Sequence, residues 1–182
     1  MSGNMQLTIT LNVNGMNSPI KQKQIAEWIS NQKPANCSLQ ETHMRQVDSH
    51  RFKMKGWNKT YWASTKKRKA GVAILMSDKV KAKLDLFKRD REGNYILIKC
   101  IIDNEEISVL NIYAPNGIAS KFLKEKLAEL EEEIDSNIIL VGDLKKIKSS
   151  NLGRRNKNNK YYLLYSVVRF AKDFTFYLFS SL

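Results

Sequence analysis

The stretch NYILIKCIIDNEEISVLNIYA, residues 94–114, holds two apolar runs that are separated only by a short polar turn. Both runs are rich in Ile, Leu, Val and Tyr, which are common in β-strands. Two such runs joined by a few polar residues are typical of an antiparallel hairpin. The stretch therefore predicts two neighbouring strands in the middle of the chain.

A helix and another strand are predicted directly after this hairpin. ASKFLKEKLAELEEEID, residues 119–135, has a core-facing stripe of apolar side chains at helical spacing, formed by Leu123, Leu127, Leu130 and Ile134. Its acidic cluster, Glu131 to Glu133, is interpreted as a solvated face rather than a metal site. The apolar run NIILVGD, residues 137–143, is then typical of a buried strand.

The N-terminal part repeats the alternation of strands and helices. LTITLNVNG predicts a strand that ends at Gly15, and a helix follows with Ser18 as N-cap and Pro19 in the first helical position. This helix is expected to end near Pro34. CSLQET and AGVAILMS predict further strands, with a basic loop or short helix over residues 44–59 between them. Strands with a few amphipathic helices between them indicate an α/β layered domain.

The charge is strongly positive and unevenly distributed. The chain of 182 residues has a formal net charge of +13, which favours a polyanionic partner. Residues 144–182 contain nine Lys and Arg against one acid, a net charge of +8 that leaves +5 for residues 1–143. A disordered basic tail is the alternative explanation of this excess. The segment 144–160 is polar and aperiodic, and residues 161–182 are aromatic without a clear period, so no element is assigned there.

The cysteines and the hydropathy pattern predict an intracellular location. Cys37 and Cys100 lie inside apolar runs without C-x-x-C spacing, so buried reduced thiols are favoured over a disulfide or metal ligation. No signal peptide is visible at the N-terminus, and no apolar run has the length of a membrane span. We therefore expect a nuclear or cytoplasmic protein that is neither secreted nor membrane-bound.

Four segments each place polar side chains at the end of an apolar run. They are LNVNG, LQET, NIYAPN and VGD, and they carry Asn12, Asn14, Gln40, Glu41, Tyr113, Asn116 and Asp143. Carboxylate and carbonyl oxygens suit Mg²⁺, whereas phenol and amide groups can donate to phosphate oxygens. An Asp close by could accept a proton from an attacking water. Each residue alone could equally be a turn former or half-buried packing, so the hypothesis rests on the four segments together.

In this order, the four segments resemble the endonuclease/exonuclease/phosphatase superfamily, which has a four-layer αββα sandwich. The sequence also resembles the N-terminal endonuclease of LINE-type retrotransposon polyproteins. This similarity is carried by the segments LNVNGMNSPIK, QETH, KGW, KAGVAIL, KRDREGNYILIK and LNIYAPN. The resemblance runs from about residue 5 to 143. It implies a domain over residues 1–143 that is the N-terminal part of such a sandwich and is incomplete, followed by a divergent tail over residues 144–182.

The resemblance also implies a role for each site residue. Glu41 would bind Mg²⁺ with Asn14 close to the ion, and Asn12 would orient the site. Tyr113 would take part in catalysis beside the phosphate, Asn116 would bind the substrate, and Asp143 would position or activate the nucleophilic water. The implied reaction is metal-assisted phosphodiester hydrolysis that nicks one strand of DNA, at A/T-rich or non-specific sites.

The sequence departs from the family pattern after Asp143. Relatives have an aromatic residue and then Asn after this Asp, whereas this chain has Leu144 and Lys145. The family's Ser-Asp-His motif has no counterpart, because the only histidines are His43 and His50, for which a surface or structural role is favoured. With half of the sandwich missing, we expect one sheet to expose a large apolar face.

Several functions remain open at this point. The chain could be a minimal Mg²⁺-dependent endonuclease, although the missing motifs favour an inactive fragment. It could be a catalytically dead remnant that binds nucleic acid without sequence specificity. It could also be the unstable product of a decayed retroelement copy. A phosphatase for lipid or inositol substrates is a weaker fourth possibility, and the oligomeric state is not indicated.

Overall fold

The fold contains two β-sheets, and the first is built from the N-terminal half. The computed structural model describes residues 8–66, 69–114, 119–134, 137–142 and 160–165. Strands β1 (Thr8–Asn12), β2 (Asn36–Gln40), β3 (Lys59–Ala63) and β4 (Val72–Met76) form a sheet of order β1-β2-β4-β3. β1 and β2 are parallel, and the other pairs are antiparallel. Helix α1 (Pro19–Gln32) connects β1 to β2, and the short helix α2 (Gln46–Ser49) lies between β2 and β3.

The second sheet is built from the strands that follow. β5 (Ala82–Arg89), β6 (Tyr95–Ile102), β7 (Glu105–Ile112), β8 (Asn137–Gly142) and β9 (Lys160–Tyr165) are arranged in that order. β5, β6 and β7 are antiparallel neighbours, which confirms the hairpin expected at residues 94–114, whereas β7, β8 and β9 are parallel. Helix α3 (Ala119–Glu129) and a 3₁₀ turn (Glu131–Glu133) lie between β7 and β8.

Three hydrophobic clusters give the molecule its layers. Ile25 and Ile29 of α1 pack on the outer face of the first sheet, and Leu123 of α3 packs on the outer face of the second. Between the sheets lies a third cluster that includes Ile74 from β4 and Ile98 from β6. The order helix, sheet, sheet, helix is the αββα arrangement that the resemblance implied. No helix in the described part of the chain is long and apolar enough to cross a membrane.

The expectation of a large exposed apolar face was wrong for the described residues. The second sheet takes β5 to β8 from residues before 143, so each sheet covers the inner face of the other. The large apolar side chains that are exposed are scattered over α1, α2 and β5, and they are Ile20, Val47, Leu84 and Phe87. These positions form no continuous face on one sheet.

Three strands, β3, β5 and β9, were not predicted from the sequence. β5 lies at the edge of its sheet beside β6 and is mostly exposed; the alternation of Ala82, Leu84 and Leu86 with polar residues is the sequence signal that was available for it. β9 lies in the tail to which no element was assigned, and its backbone pairs in parallel with β8 from Lys160 opposite Asn137 to Tyr165 opposite Gly142. Residues 143–159 and 166–182 lie outside the described part, and the domain boundary at residue 143 stays a prediction.

The start of α1 agrees with the sequence in detail. The Ser18 side chain accepts a hydrogen bond from the backbone N–H of Lys21 at 3.2 Å, and Pro19 occupies the first helical position. A serine N-cap satisfies one of the N–H groups that have no partner within the helix. The cap therefore fixes where α1 begins, immediately after the turn that follows β1.

We predict that Ser18→Ala lowers the free energy of unfolding by about 1 kcal/mol, because alanine cannot accept the Lys21 hydrogen bond. Urea denaturation followed by circular dichroism would measure the change. Ser18→Asn is the matched control, since asparagine is also a good N-cap and should retain most of the stability. Equal losses in the two variants would contradict a capping role.

Candidate functional site

The predicted site residues within the described part of the chain lie at the carboxyl ends of two parallel strand pairs. Asn12 faces Gln40 at the end of the β1–β2 pair, and Ile112 faces Gly142 at the end of the β7–β8 pair. The Gln40 side chain donates to Asn111 Oδ1 of β7 at 2.8 Å, across the gap between the sheets. This contact shows that the two pairs end at the same end of the sandwich.

Asn12 and Glu41 are in direct contact there. The Asn12 amide Nδ2 donates to Glu41 Oε1 at 2.9 Å, and Asn12 Oδ1 accepts from the backbone N–H of Asn14 at 3.0 Å. Asn12 is buried, so its amide is a fixed donor that orients the carboxylate. The Asn14 side chain is exposed, and its backbone carbonyl accepts from Lys21 Nζ at 3.0 Å.

The backbone of Glu41 has an uncommon conformation. Its φ of 51° lies in the left-handed region, which a non-glycine residue adopts only when its surroundings enforce it. The Glu41 carbonyl accepts from Gly15 N–H at 2.6 Å, so the β1–α1 turn holds this peptide. The second carboxylate oxygen, Oε2, lies 3.8 Å from His43 Nε2.

His43 therefore lies closer to the candidate site than the sequence indicated. Its side chain is partly buried, its φ is 54°, and a side chain added at Gly15 would come within 3.0 Å of its ring. The sequence signal was only its position immediately after QET. The contact with Glu41 puts this histidine on the side of the proposed metal ligand.

Backbone hydrogen bonds join the loops around Glu41. Thr42 N–H donates to Gly71 O at 3.0 Å, and Gly71 N–H donates to Gly93 O at 3.1 Å. The next residue, Asn94, accepts at its carbonyl from Tyr113 N–H at 2.7 Å. These bonds form a continuous connection from the Glu41 loop to the end of β7. Tyr113 itself is half-buried and packs against the core between the sheets.

The structure thus brings together part of the predicted constellation. Asn12, Asn14 and Glu41 form one hydrogen-bonded group, and Tyr113 lies at the same end of the sandwich. Asn116 and Asp143 lie outside the described residues, so their roles stay predictions.

The oxygen ligands around Glu41 are of the kind that binds a hard cation, but they are few. Among the described residues, no group of three His, Cys, Asp or Glu side chains could hold a metal ion. Glu41 supplies one carboxylate whose Oε1 is committed to Asn12, which leaves Oε2 for a cation. Mg²⁺ is typically bound by one or two carboxylates, with water and substrate phosphate completing its coordination. The residues present are therefore compatible with a Mg²⁺ ion held in part by Glu41.

Two buried amides near the site were not identified as site residues. Gln40 and Asn111 are both 0% exposed, and they are hydrogen bonded to each other. Gln40 lies in the QET motif, but only Glu41 was given a role there. Asn111 interrupts the apolar run SVLNI, and a polar residue at that position was the available signal, because a buried amide requires partners.

Comparisons with known proteins agree with this architecture. The sequence model of the endonuclease/exonuclease/phosphatase family matches residues 9–160, which extends beyond the limit of about 143 expected from the motifs. Among solved structures, the AP endonuclease LMAP from Leishmania major is 20% identical, with a TM-score of 0.59 and coverage of 76% of this chain and 55% of that one.

Two further structures have the same fold. Truncated TDP2 from Caenorhabditis elegans is 17% identical, with a TM-score of 0.57, and 82% of this chain and 65% of that one are covered. An AP endonuclease from Archaeoglobus fulgidus is 22% identical, with a TM-score of 0.55, and the match covers 77% of this chain and 57% of that one. The chain spans 55% to 65% of the length of these three proteins. Since the family match includes most of the chain and the sandwich is shared, the chain belongs to the endonuclease/exonuclease/phosphatase family.

Proposed function

We propose that this chain carries the Glu41-centred half of a Mg²⁺-dependent phosphodiesterase site of the retrotransposon endonuclease type. In isolation, it binds DNA and does not hydrolyse it. The observation that carries the proposal is the 2.9 Å contact between Asn12 and Glu41 at the shared end of both sheets. A carboxylate held by a buried amide in this position is a suitable ligand for a hard cation.

The roles follow from the arrangement of these side chains. Glu41 would hold the ion, Asn12 fixes the carboxylate through Oε1, and Asn14 lies on the adjoining turn close to both. Tyr113 contributes a phenol that can donate to a substrate phosphate. When bound, the ion neutralises charge that develops on the phosphate oxygens.

Two further residues complete the proposed roles. Asn116 binds the substrate phosphate, and Asp143 positions the attacking water. Asn116 follows Tyr113 by three residues, and Asp143 directly follows the last residue of β8. Both assignments come from the family motifs NIYAPN and VGD.

The sequence supports the absence of hydrolysis. The 182 residues contain two histidines, His43 and His50, whereas the family motif places a histidine opposite the scissile phosphate. His43 lies 3.8 Å from Glu41, on the side of the proposed metal ligand. It therefore does not take the place of the family histidine, which lies on the opposite side of the scissile phosphate. Lys145 stands where relatives have an asparagine, and an ammonium group lacks the fixed geometry of an amide.

The charge of +13 supports a DNA partner, because lysines and arginines bind phosphates and release counterions. The state of the thiols is compatible with the nucleus or cytoplasm, where such a partner is found. Cys37 and Cys100 are both buried and unpaired. Burial raises the pKa of the Cys37 thiol above its usual range and that of Cys100 to about 11, which keeps both thiols protonated and unreactive.

We predict that the purified chain retains DNA on a filter in 50 mM salt and loses tenfold or more of this affinity at about 200 mM, as expected for phosphate contacts. We also predict that it does not nick supercoiled plasmid, with or without Mg²⁺. Glu41→Ala and Asp143→Ala are assayed beside the unaltered chain. Mg²⁺-dependent nicking that both substitutions abolish would show that the site is active. Failure to retain DNA in low salt would refute the binding function.

A further inference from the structure

Asn111 connects the two sheets with all of its amide hydrogen-bonding groups. It lies in β7 and is 0% exposed, with its side chain directed towards the first sheet. Its Nδ2 donates to the backbone carbonyls of Leu39 in β2, at 3.0 Å, and Ala73 in β4, at 2.8 Å. Its Oδ1 accepts from Gln40 Nε2 at 2.8 Å. One side chain of the second sheet thereby binds two strands of the first.

The network continues from Gln40 to the β1 edge of the first sheet. Gln40 Nε2 also lies within hydrogen-bond distance of Thr10 Oγ1, at 3.0 Å, and of the Ser38 carbonyl, at 3.3 Å. The residue that follows Gln40 is Glu41, which has a φ of 51°. Since the backbone turns sharply immediately after an anchored side chain, the anchor sets the direction from which Glu41 enters the site.

Hydrogen bonds provide a directional constraint that apolar packing does not. The rest of the inter-sheet cluster consists mainly of aliphatic side chains such as Ile74, Ile98 and Val141, whose contacts tolerate small sliding motions. The three bonds of Asn111 have defined directions and lie in a buried, low-dielectric region, where losing one partner costs more than in water. They therefore fix the relative position of the two sheets at the end where the candidate site lies.

We infer that Asn111 is a positioning residue that keeps Glu41 and Tyr113 at a fixed separation, an inference that rests on the proposed function of this site. Tyr113 follows Asn111 by two residues, and Glu41 follows Gln40 by one. The 2.8 Å hydrogen bond between Asn111 and Gln40 thus links Glu41, the proposed metal ligand, to Tyr113, the proposed phosphate contact, through only one or two residues of backbone on each side. Asn111 acts through these two residues and does not itself touch metal or substrate.

The test compares Asn111→Ala and Asn111→Ser with Ser108→Ala in the full chain. Ser108 is the matched control because it lies in the same strand, is also 0% exposed, and has a hydroxyl group without a hydrogen-bond partner. The first readout is amide hydrogen exchange at Gly15, Thr42 and His43, whose N–H groups hold the Glu41 loop. The second is the Kd of Mn²⁺, followed by electron paramagnetic resonance.

The expected result is selective loosening of the Glu41 loop. Both Asn111 variants should accelerate exchange of the three loop amides at least tenfold more than that of the α3 amides, and should weaken Mn²⁺ binding about tenfold. Ser108→Ala should cause neither selective change. Equal acceleration in the loop and in α3 would mean that Asn111 contributes only to global stability, and would overturn the inference.

The same data separate this inference from the proposed function. If the unaltered chain shows no Mn²⁺ binding that depends on Glu41, the metal-binding proposal fails, while selective loosening of the loop would still support positioning by Asn111. If neither Asn111 variant folds, Gln40→Met provides the test. It removes the 2.8 Å bond, together with the contacts of Gln40 to Thr10 and Ser38, but leaves both bonds from Asn111 to backbone carbonyls. Loop exchange unchanged in Gln40→Met would then overturn the inference.

Discussion

Gly71→Ala is expected to lower the melting temperature by on the order of 10 °C, since roughly 3 kcal/mol of stability is lost from a chain of this size. A Cβ atom at this position would lie 2.4 Å from Thr42 Oγ1 and 3.4 Å from the backbone nitrogen of His43. Thr42 is 0% exposed, so its side chain has little room to move away. The φ of Gly71 is +100°, which adds about 1–2 kcal/mol of backbone strain for an L-residue. Overpacking contributes about 1–3 kcal/mol more.

Gly56→Ala is the matched control for this prediction. Gly56 has a φ of +82°, but a Cβ added there would meet no atom within 4 Å. Gly56→Ala should therefore be destabilised by backbone strain alone, without a steric contribution. Thermal denaturation of both variants isolates the steric contribution at Gly71. Equal losses would show that the contact with Thr42 is unimportant, whereas partial recovery in the double variant Thr42→Ala/Gly71→Ala would identify it directly.

The substitution should also disturb the candidate site, because Gly71 is part of the support of Glu41. Its carbonyl accepts from Thr42 N–H at 3.0 Å, and its N–H donates to Gly93 O at 3.1 Å. The KAGVAIL motif thus requires glycine at this position for close approach of three loops rather than for flexibility. Backbone strain that is concentrated around a site is commonly maintained by the structure that surrounds it.

Local periodicity was sufficient to predict the central elements. The hairpin of β6 and β7, the Ser18 cap of α1 and the core-facing leucines of α3 all follow from spacing within one short stretch of sequence, although α3 ends at Glu129, before Leu130 and Ile134 of the predicted stripe. In α3, Leu123 is buried and Leu127 packs against the same cluster. These predictions held because the residues that determine each element lie within that element.

Features that depend on distant segments were harder to predict. The mutual covering of the two sheets depends on the topology of all the described strands, and β5 is an edge strand whose alternation is limited to Ala82, Leu84 and Leu86. The proposed roles of Glu41 and Asn12 come from motifs, whereas the network around Asn111 could not be expected from the sequence. Its partners Leu39 and Ala73 contribute backbone carbonyls, which have no sequence signature.

Glu41→Gln is expected to weaken Mn²⁺ binding tenfold or more, with little change in stability. The introduced glutamine side chain would retain an oxygen able to accept the 2.9 Å hydrogen bond from Asn12, so it should stay in place. What is lost is the negative charge. Two unit charges about 4 Å apart attract each other by about 4 kcal/mol near a protein surface, and about 1.4 kcal/mol already corresponds to a tenfold change in affinity. Titration followed by electron paramagnetic resonance would measure the Kd.

Two further variants distinguish a specific ligand from general charge. Glu27→Gln removes a carboxylate on the exposed face of α1, where it pairs with Lys23 at 3.7 Å, and should leave Mn²⁺ affinity unchanged. Asn12→Ala keeps the Glu41 charge but removes the donor that orients it, so its affinity should fall between those of Glu41→Gln and the unaltered chain. If Glu27→Gln weakened binding as much as Glu41→Gln, the ion would be attracted by net charge alone. The order of the three Kd values therefore tests whether the geometry at the ends of β1 and β2 makes a metal site.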